Sequence, residues 1–385
     1  MRILHVMHYY QPNMGYQDNH LPYEQKLQGN NVKIITSERY YPFDNYNLLF
    51  TNILGKRIIK SGIFKEDGNI IERIPIIFEY KKSKKVLFNY KIFLAKIIKF
   101  SPDVIHFHLE QNLNLLYLKK ISSKLNCKII VDCHSDYQNS KLYNFNLFVV
   151  KYFLLLYSKY LDKYVDSFLP INEASYNHLL KVYSIPKNKI IMNRLGTPYL
   201  ENINKSKLVL EKYGIKNDFV IIVSGKFSKP NRSDLLFNSL KEIQKINKLI
   251  KIIIIGVIAP ELSNLLVDSF ILIPFQKHKN LLEYYSAADL AIFSTATSTI
   301  LDSMSCSTPT LIYKEKNTNY LLKAYQHDFS FVNKKELVSK VQYLLENIDL
   351  CNNEGRNAKK FIDKELTWNK IAKQSIEIYN KCIKG

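Results

Sequence analysis

Cysteine, glycine and acidic side chains are all scarce in this chain, and each shortage removes a class of protein. Only five cysteines, Cys127, Cys133, Cys306, Cys351 and Cys382, stand among 385 residues. The count is odd and the spacings fit neither a disulfide framework nor a zinc site, so a reducing cytoplasm is the expected compartment. No apolar stretch is long enough to span a bilayer. The nearest candidate, Phe145 to Tyr157, is too short and carries Lys151. The opening M-R-I-L-H-V-M-H-Y-Y turns polar too soon for a signal peptide. The turn after this first apolar run holds one glycine, Gly15, and not the G-x-G-x-x-G dinucleotide fingerprint. Internal repeats and low-complexity segments are lacking as well. Acidic residues number 34 against 55 lysines and arginines, which leaves a net charge of +21. That balance suits nucleic acid, an anionic membrane surface or anionic substrates, and equally a lysine-rich composition with no such role.

What is present is a globular chain of two-domain length, 46% hydrophobic and 13% aromatic. Short apolar runs alternate with helical patterns, the signature of parallel α/β units. Residues 2–7 and Val32 to Thr36 read as strands around a helix from about Asn19 to Gln28. Val104 to His108 and Lys128 to Asp136 continue the series. An apolar, Tyr-rich helix is expected over 141–160. The Lys-rich, aromatic stretch Tyr80 to Phe100 has helical spacing and suits either a helix packed on the sheet or a membrane-surface helix. His106 and His108 alternate on one strand and so share a face. No Asp, Glu or Cys set accompanies them in sequence, so packing is the expected role.

The second half centres on Asp289 to Ile312. An apolar strand, Leu290 to Phe293, runs into a hydroxyl-rich loop, Ser294 to Thr299. A short helix to Cys306 follows, and Thr308-Pro309 leads into the strand Thr310 to Tyr313. Such a helix offers free N–H groups at the strand's carboxyl edge, where phosphates bind, and Asp302 sits in its first turn. An ordinary crossover with a dipole-favoured Asp302 explains the same pattern. Upstream, the strand Phe219 to Gly225 is followed at once by Lys226, Lys229 and Arg232, then by a helix over Asp234 to Lys245. Cations beside a helix N-terminus at a strand's carboxyl end suit a pyrophosphate; a solvated basic turn is the plainer alternative.

Asp302-Ser-Met-Ser-Cys-Ser-Thr-Pro-Thr-Leu-Ile312 resembles the donor-site text E-A-M-A-C-G-T-P-V-I of glycosyltransferase family 4, enzymes of the GT-B fold. Tyr284 to Asp289 resembles its Y-x-x-A-D, and Leu366-Thr-Trp368-Asn-Lys-Ile-Ala its F-T-W-x-x-I-A. P-D-V-I-H-x-H, at Pro102 to His108, is a common family spelling, Phe168 to Glu173 resembles a family strand and loop, and Tyr183 to Gly196 resembles the text of what would be the last strand of the first domain. The resemblance implies two doubly wound Rossmann-like α/β domains facing a central cleft. An acceptor-side domain would cover 1–198, a linker 199–217, a nucleotide-sugar-binding domain 218–365, and a helix over 366–385 would cross back to the first domain.

The same resemblance implies retaining transfer of a sugar from a nucleotide-diphosphate sugar, with no metal. No D-x-D is present. Asp302 takes the place of the ribose-binding carboxylate, and Lys226 with Arg232 (Lys229 as fallback) that of the cation pair on the diphosphate. His134 falls where the family histidine faces the donor sugar, Gly15 in the loop near the donor phosphate, and Gly196 in the loop after the last strand of the first domain. The first glutamate of the family's E-x7-E is missing: counting places Ser294 or Ser298 there, so Ser298, Thr299 or backbone amides would meet the sugar hydroxyls. The expected acceptor is a glycan or lipid-linked hydroxyl in surface polysaccharide synthesis, with peripheral association at an anionic membrane face and no nucleic acid. A catalytically inactive nucleotide- or sugar-binding protein and a basic nucleic-acid-binding protein are the other two readings; against the latter, the lysines are spread and no recognition motif appears.

Overall fold

The computed structural model describes residues 1–135, 147–201, 208–216, 218–247 and 249–385, with the backbone alone over 147–151. Residues 141–146 of the helix expected over 141–160, and the linker residues 202–207 and 217, lie outside the described residues; the remainder of that helix falls within Leu147–Tyr164. The chain divides into two compact units, Met1–Leu195 with Trp368–Gly385, and Gly196–Thr367.

The first unit holds β1 (Arg2–Val6), β2 (Asn31–Ser37), β3 (Gly62–Glu66), β4 (Asn69–Ile74), β5 (Ile76–Tyr80), β6 (Lys85–Phe88), β7 (Val104–Phe107), β8 (Lys128–Cys133) and β9 (Ser167–Pro170). Seven of them form one sheet in the order β3-β4-β2-β1-β7-β8-β9, parallel except for the edge strand β3. These strands are apolar on both faces because both faces are covered. Leu4, Ile105, Val131 and Phe168 feed one core. Their sequence neighbours Ile3, Val104, Ile130 and Leu169 feed the other, against Ile378 and Tyr379 of the helix Trp368–Lys384. Each such side chain contributes about 1.5–3 kcal/mol by burial.

The second unit holds β10 (Phe219–Phe227), β11 (Ile250–Ile258), β12 (Ile271–Ile273), β13 (Leu290–Phe293), β14 (Thr310–Tyr313) and β15 (Ser330–Phe331), in the order β12-β11-β10-β13-β14-β15. All its described pairings are parallel. Both large sheets therefore reverse strand order once, between β1 and β7 and between β10 and β13. Ligands of open α/β sheets bind at the carboxyl ends of the strands at such a point.

Two expectations need correction. The stretch Tyr80 to Phe100 is not one helix. Its first half closes the antiparallel hairpin β5-β6, and only Tyr90–Phe100 is helical, capped by the Asn89 side chain. The alternation of Val86 and Phe88, both buried, set the strand there and was hidden by the lysines around it. Tyr183 to Gly196 forms no strand; it meets the edge strand β9 through a bridge between Ile190 and Phe168 and a hydrogen bond from the Asn193 N–H to the Pro170 carbonyl at 3.0 Å.

Candidate functional site

In the second unit, β10 and β11 run side by side to Gly225 and Gly256, which adopt φ of +143° and +136°. A Cβ on Gly256 would stand 2.0 Å from the Gly225 carbonyl oxygen, so glycine is required where the two strands end. The chain then passes the exposed Lys226 and Lys229 and reaches Arg232, held in the left-handed region at φ +55°. That conformation costs about 1 kcal/mol or more in a non-glycine residue. It is offset by a set of hydrogen bonds that ties this turn to the loop after β13. Arg232 Nη1 donates to the Ser294 carbonyl at 3.2 Å, and the Ser294 hydroxyl donates to the Asn231 carbonyl at 2.8 Å. Arg232 Nη2 pairs with Glu315 Oε2 at 3.2 Å, and the guanidinium lies 4.1 Å from the centre of the Tyr313 ring. Glu315 Oε1 accepts from the Ala296 N–H at 2.7 Å. The helix Ser233–Ile246 starts immediately after Arg232, and no side chain caps its first N–H groups. A cation and a free helix N-terminus thus share the carboxyl edge at the β10/β13 switch point, a setting that attracts a diphosphate.

Asp302 lies in the first turn of the helix Thr299–Ser305 and is buried. Its Oδ1 accepts from the Thr197 hydroxyl at 2.7 Å, and its Oδ2 stands 3.0 Å from His278 Nε2. Gly196, buried, precedes Thr197 and leads the chain to this contact. Ser298 takes the N-cap position of that helix without a side-chain bond to it, and the Thr299 hydroxyl lies 3.2 Å from that of Thr297. Thr197, His278 and Glu315 escape a reading of the sequence. Thr197 and Glu315 reach the site from loops and His278 from the start of the helix His278–Ala287, and no motif marks them.

In the first unit His134 follows β8. Its Nε2 lies 2.8 Å from Gln17 Oε1 and 3.6 Å from Asp132 Oδ1. Gly15, at φ +71°, turns the chain into the helix Gln17–Leu27 that supplies Gln17. Burial works against charge on His134, but the Asp132 carboxylate outweighs it and raises the ring's pKa above the ordinary histidine value.

His106 and His108 have carboxylate company after all, which corrects the sequence reading. Asp132 Oδ2 stands 2.9 Å from His108 Nδ1 and 3.4 Å from His106 Nε2, and Asp18 Oδ1 is 3.1 Å from His108 Nδ1. The partners come from β8 and from the first helix, remote in sequence and adjacent only in the folded sheet. His5, His106 and His108 bring ring nitrogens within 4.8 Å of one another. The His106 and His108 rings are stacked, however, with planes 7° apart. Lone pairs lie in the ring plane, so these two run nearly parallel instead of converging on one ion.

Comparison with known proteins agrees with the fold of the two units. Residues 24–193 match the family profile described as Glycosyltransferase Family 4, and residues 207–361 match that described as Glycosyl transferases group 1. No curated protein registers as a sequence match. Among solved structures, sucrose-phosphate synthase from Thermosynechococcus elongatus is similar at 14% identity and a TM-score of 0.72, over 99% of each chain. A glycosyltransferase from Rickettsia africae is 15% identical with a TM-score of 0.70, over 100% of this chain and 99% of that one. Anabaena HepE in complex with UDP-glucose is 14% identical with a TM-score of 0.69, over 99% of this chain and 100% of its own. These likenesses establish two Rossmann-like units of the GT-B type.

Proposed function

This chain belongs to the GT-B-fold glycosyltransferases of the family 4 and group 1 kind, and we propose that it moves a sugar, with retention, from a nucleotide-diphosphate sugar to a hydroxyl of a glycan or lipid-linked acceptor in surface polysaccharide synthesis. The observation that carries the reading is Arg232. It stands in the turn after β10, at the N-cap of a helix whose start no side chain caps, and is fixed to the β13 loop through Ser294 and to Glu315. Lys226 stands at the same strand end.

In this mechanism the bond from the anomeric carbon to the diphosphate oxygen breaks and leaves an oxocarbenium-like sugar. The acceptor oxygen forms its bond to that carbon from the same face, and its proton passes to the departing phosphate. Lys226, Arg232 and the helix dipole stabilise the charge that develops on the diphosphate. Asp302 binds the ribose, with Thr197 and His278 orienting its carboxylate. His134 meets the donor sugar. Ser298 and Thr299 cover sugar hydroxyls where the motif glutamate is missing.

A membrane surface is the proposed setting for a lipid-linked acceptor. Support comes from the net charge of +21 and from the β5-β6 hairpin, where Ile77, Phe78 and Tyr80 are exposed next to the exposed Lys81 and Lys82. Among the described residues no helix is long and apolar enough to cross a membrane. The deciding experiment is a thermal-shift screen of nucleoside diphosphates and nucleotide-sugars, followed by turnover with a radiolabelled donor. Stabilisation without turnover would favour an inactive binder, and no stabilisation by any of them would reject the reading.

A further inference from the structure

His5, at the end of β1, and His108, just past β7, face each other at the first sheet's switch point, and the protons in this contact can be counted. Gln25 Nε2 donates to Ser375 Oγ at 2.8 Å and to Tyr379 Oη at 3.1 Å. The Ser375 hydroxyl itself donates to the Ala372 carbonyl, so it accepts from Gln25 and the orientation of the Gln25 amide is set. Gln25 Oε1 is therefore the atom 2.7 Å from His5 Nε2, and it can only accept. His5 Nε2 carries the proton, and Nδ1 of the neutral ring is bare. Facing that bare nitrogen at 2.9 Å is His108 Nε2. The other nitrogen, His108 Nδ1, lies 2.9 Å from Asp132 Oδ2 and 3.1 Å from Asp18 Oδ1, and a bare lone pair that close to two carboxylates would be repelled, so it carries a proton as well. Two bare nitrogens would repel at 2.9 Å, so His108 Nε2 is protonated too. His108 is an imidazolium, 4% exposed and fully enclosed by its partners.

The groups that face it are His5 from β1, His106 from β7, Asp132 from β8, Asp18 from the first helix and, through His106 Nδ1 at 2.6 Å, Tyr379 from the last helix. Carboxylates outnumber other cations around the ring. Burial lowers the His108 pKa, but Asp132 and Asp18 outweigh it and raise it to about 10. The same burial, with His106 and His108 beside it, holds His5 well below its usual value, and so neutral.

We propose that His108, as a buried imidazolium, and Asp132, as its carboxylate partner, are positioning residues that set the charge of His134. Asp132 Oδ1 accepts from the Leu109 N–H at 2.6 Å and stands 3.6 Å from His134 Nε2, while Oδ2 lies 2.9 Å from His108 Nδ1; the hydrogen bond of His134 Nε2 itself goes to Gln17 Oε1 at 2.8 Å. His108 sets how much of the Asp132 charge His134 feels. This inference rests on the reading of His134 as the group that meets the donor sugar.

The test is nitrogen NMR of the full chain labelled with ¹⁵N-histidine, with resonances assigned by single histidine replacements. In the unaltered protein His108 should show both ring nitrogens protonated at pH 8, where a free histidine is neutral. His108→Gln should raise the His134 midpoint, because it strips the cation from Asp132. Asp132→Asn should lower that midpoint by about one pH unit or more. Opposite shifts from two neighbouring replacements are not a consequence of loosened packing. Asp18→Asn, at a carboxylate a quarter exposed, provides a milder variant and should lower the His108 midpoint. A singly protonated His108 at pH 8, or a His134 midpoint that neither variant moves, would overturn the proposal. His134→Ala with undiminished turnover would instead overturn the role of His134 in transfer, and the NMR result would stand apart from it.

Discussion

Asp302 and His278 meet at 3.0 Å in the second unit, and Thr197 holds the other carboxylate oxygen at 2.7 Å. A carboxylate one methylene shorter than the family glutamate does not project far from its helix, and these two side chains take up the slack. If Asp302 binds the ribose, Asp302→Ala should weaken nucleoside-diphosphate binding by about 1–3 kcal/mol. His134→Ala should leave that affinity nearly unchanged and lower the turnover number, because its contact matures in the transition state. Isothermal titration beside steady-state kinetics separates the two. The reverse pattern would mean that the site is assembled differently.

Lys226→Ala and Arg232→Ala should each raise the dissociation constant for a nucleoside diphosphate, at about 1.5–3 kcal/mol for a charged hydrogen bond lost. Arg232 enters this contact already oriented by Ser294, Glu315 and the Tyr313 ring. Its loss should therefore cost more than that of the exposed Lys226. Equal, negligible effects in folded variants would remove both residues from the site.

Transfer should not depend on a divalent ion. The cations proposed for the leaving diphosphate are side chains, and the stacked rings of His106 and His108 do not aim at a common point. An assay in excess chelator should keep its rate. A collapse that magnesium or manganese restores would refute this.

Flotation with liposomes checks the membrane setting. The hairpin residues Ile77, Phe78 and Tyr80 next to Lys81 and Lys82 should carry the protein up with anionic vesicles and not with neutral ones. Replacing Phe78 and Lys81 together should abolish flotation. Equal recovery with both lipids would leave the charge as composition alone.

The sheets were largely legible because a strand buried on both faces has few spellings: L-A-I-F gave β13 and K-I-I-I-I-G lies within β11. Tyr183 to Gly196 is expected as a strand and forms none: an isolated bridge at Ile190 and a bond at Asn193 stand in place of a ladder. The hairpin β5-β6 was read as helix because lysines obscured a two-residue alternation. Motif spacing marks Lys226 and Asp302 directly as candidates. It could not reach Glu315 or His278, whose proximity to Arg232 and Asp302 follows from the order of strands and helices and not from distance along the chain.

Glu79 provides a stability test with a defined sign. Its carboxylate is 4% exposed and takes two bonds from Arg57, at 2.7 and 2.8 Å, one from Arg39 at 2.7 Å and one from the Tyr9 hydroxyl at 3.0 Å. Burial pushes its pKa up, but Arg57, Tyr9 and Arg39 outweigh that and bring it down from 4.5 to about 2. As pH falls below 4.5 the unfolded chain takes up this proton before the folded one does. Stability from the cluster is thus fully present above the unfolded value and is lost as pH falls through 2. Glu79→Gln leaves Arg39 and Arg57 without their shared anion and should destabilise the first unit by about 3–5 kcal/mol at neutral pH. Urea unfolding of both proteins across the acid range should show the wild-type advantage shrinking as Glu79 is protonated. An advantage that stays constant down to about pH 2 would mean that packing, and not the ion cluster, holds β5 in place.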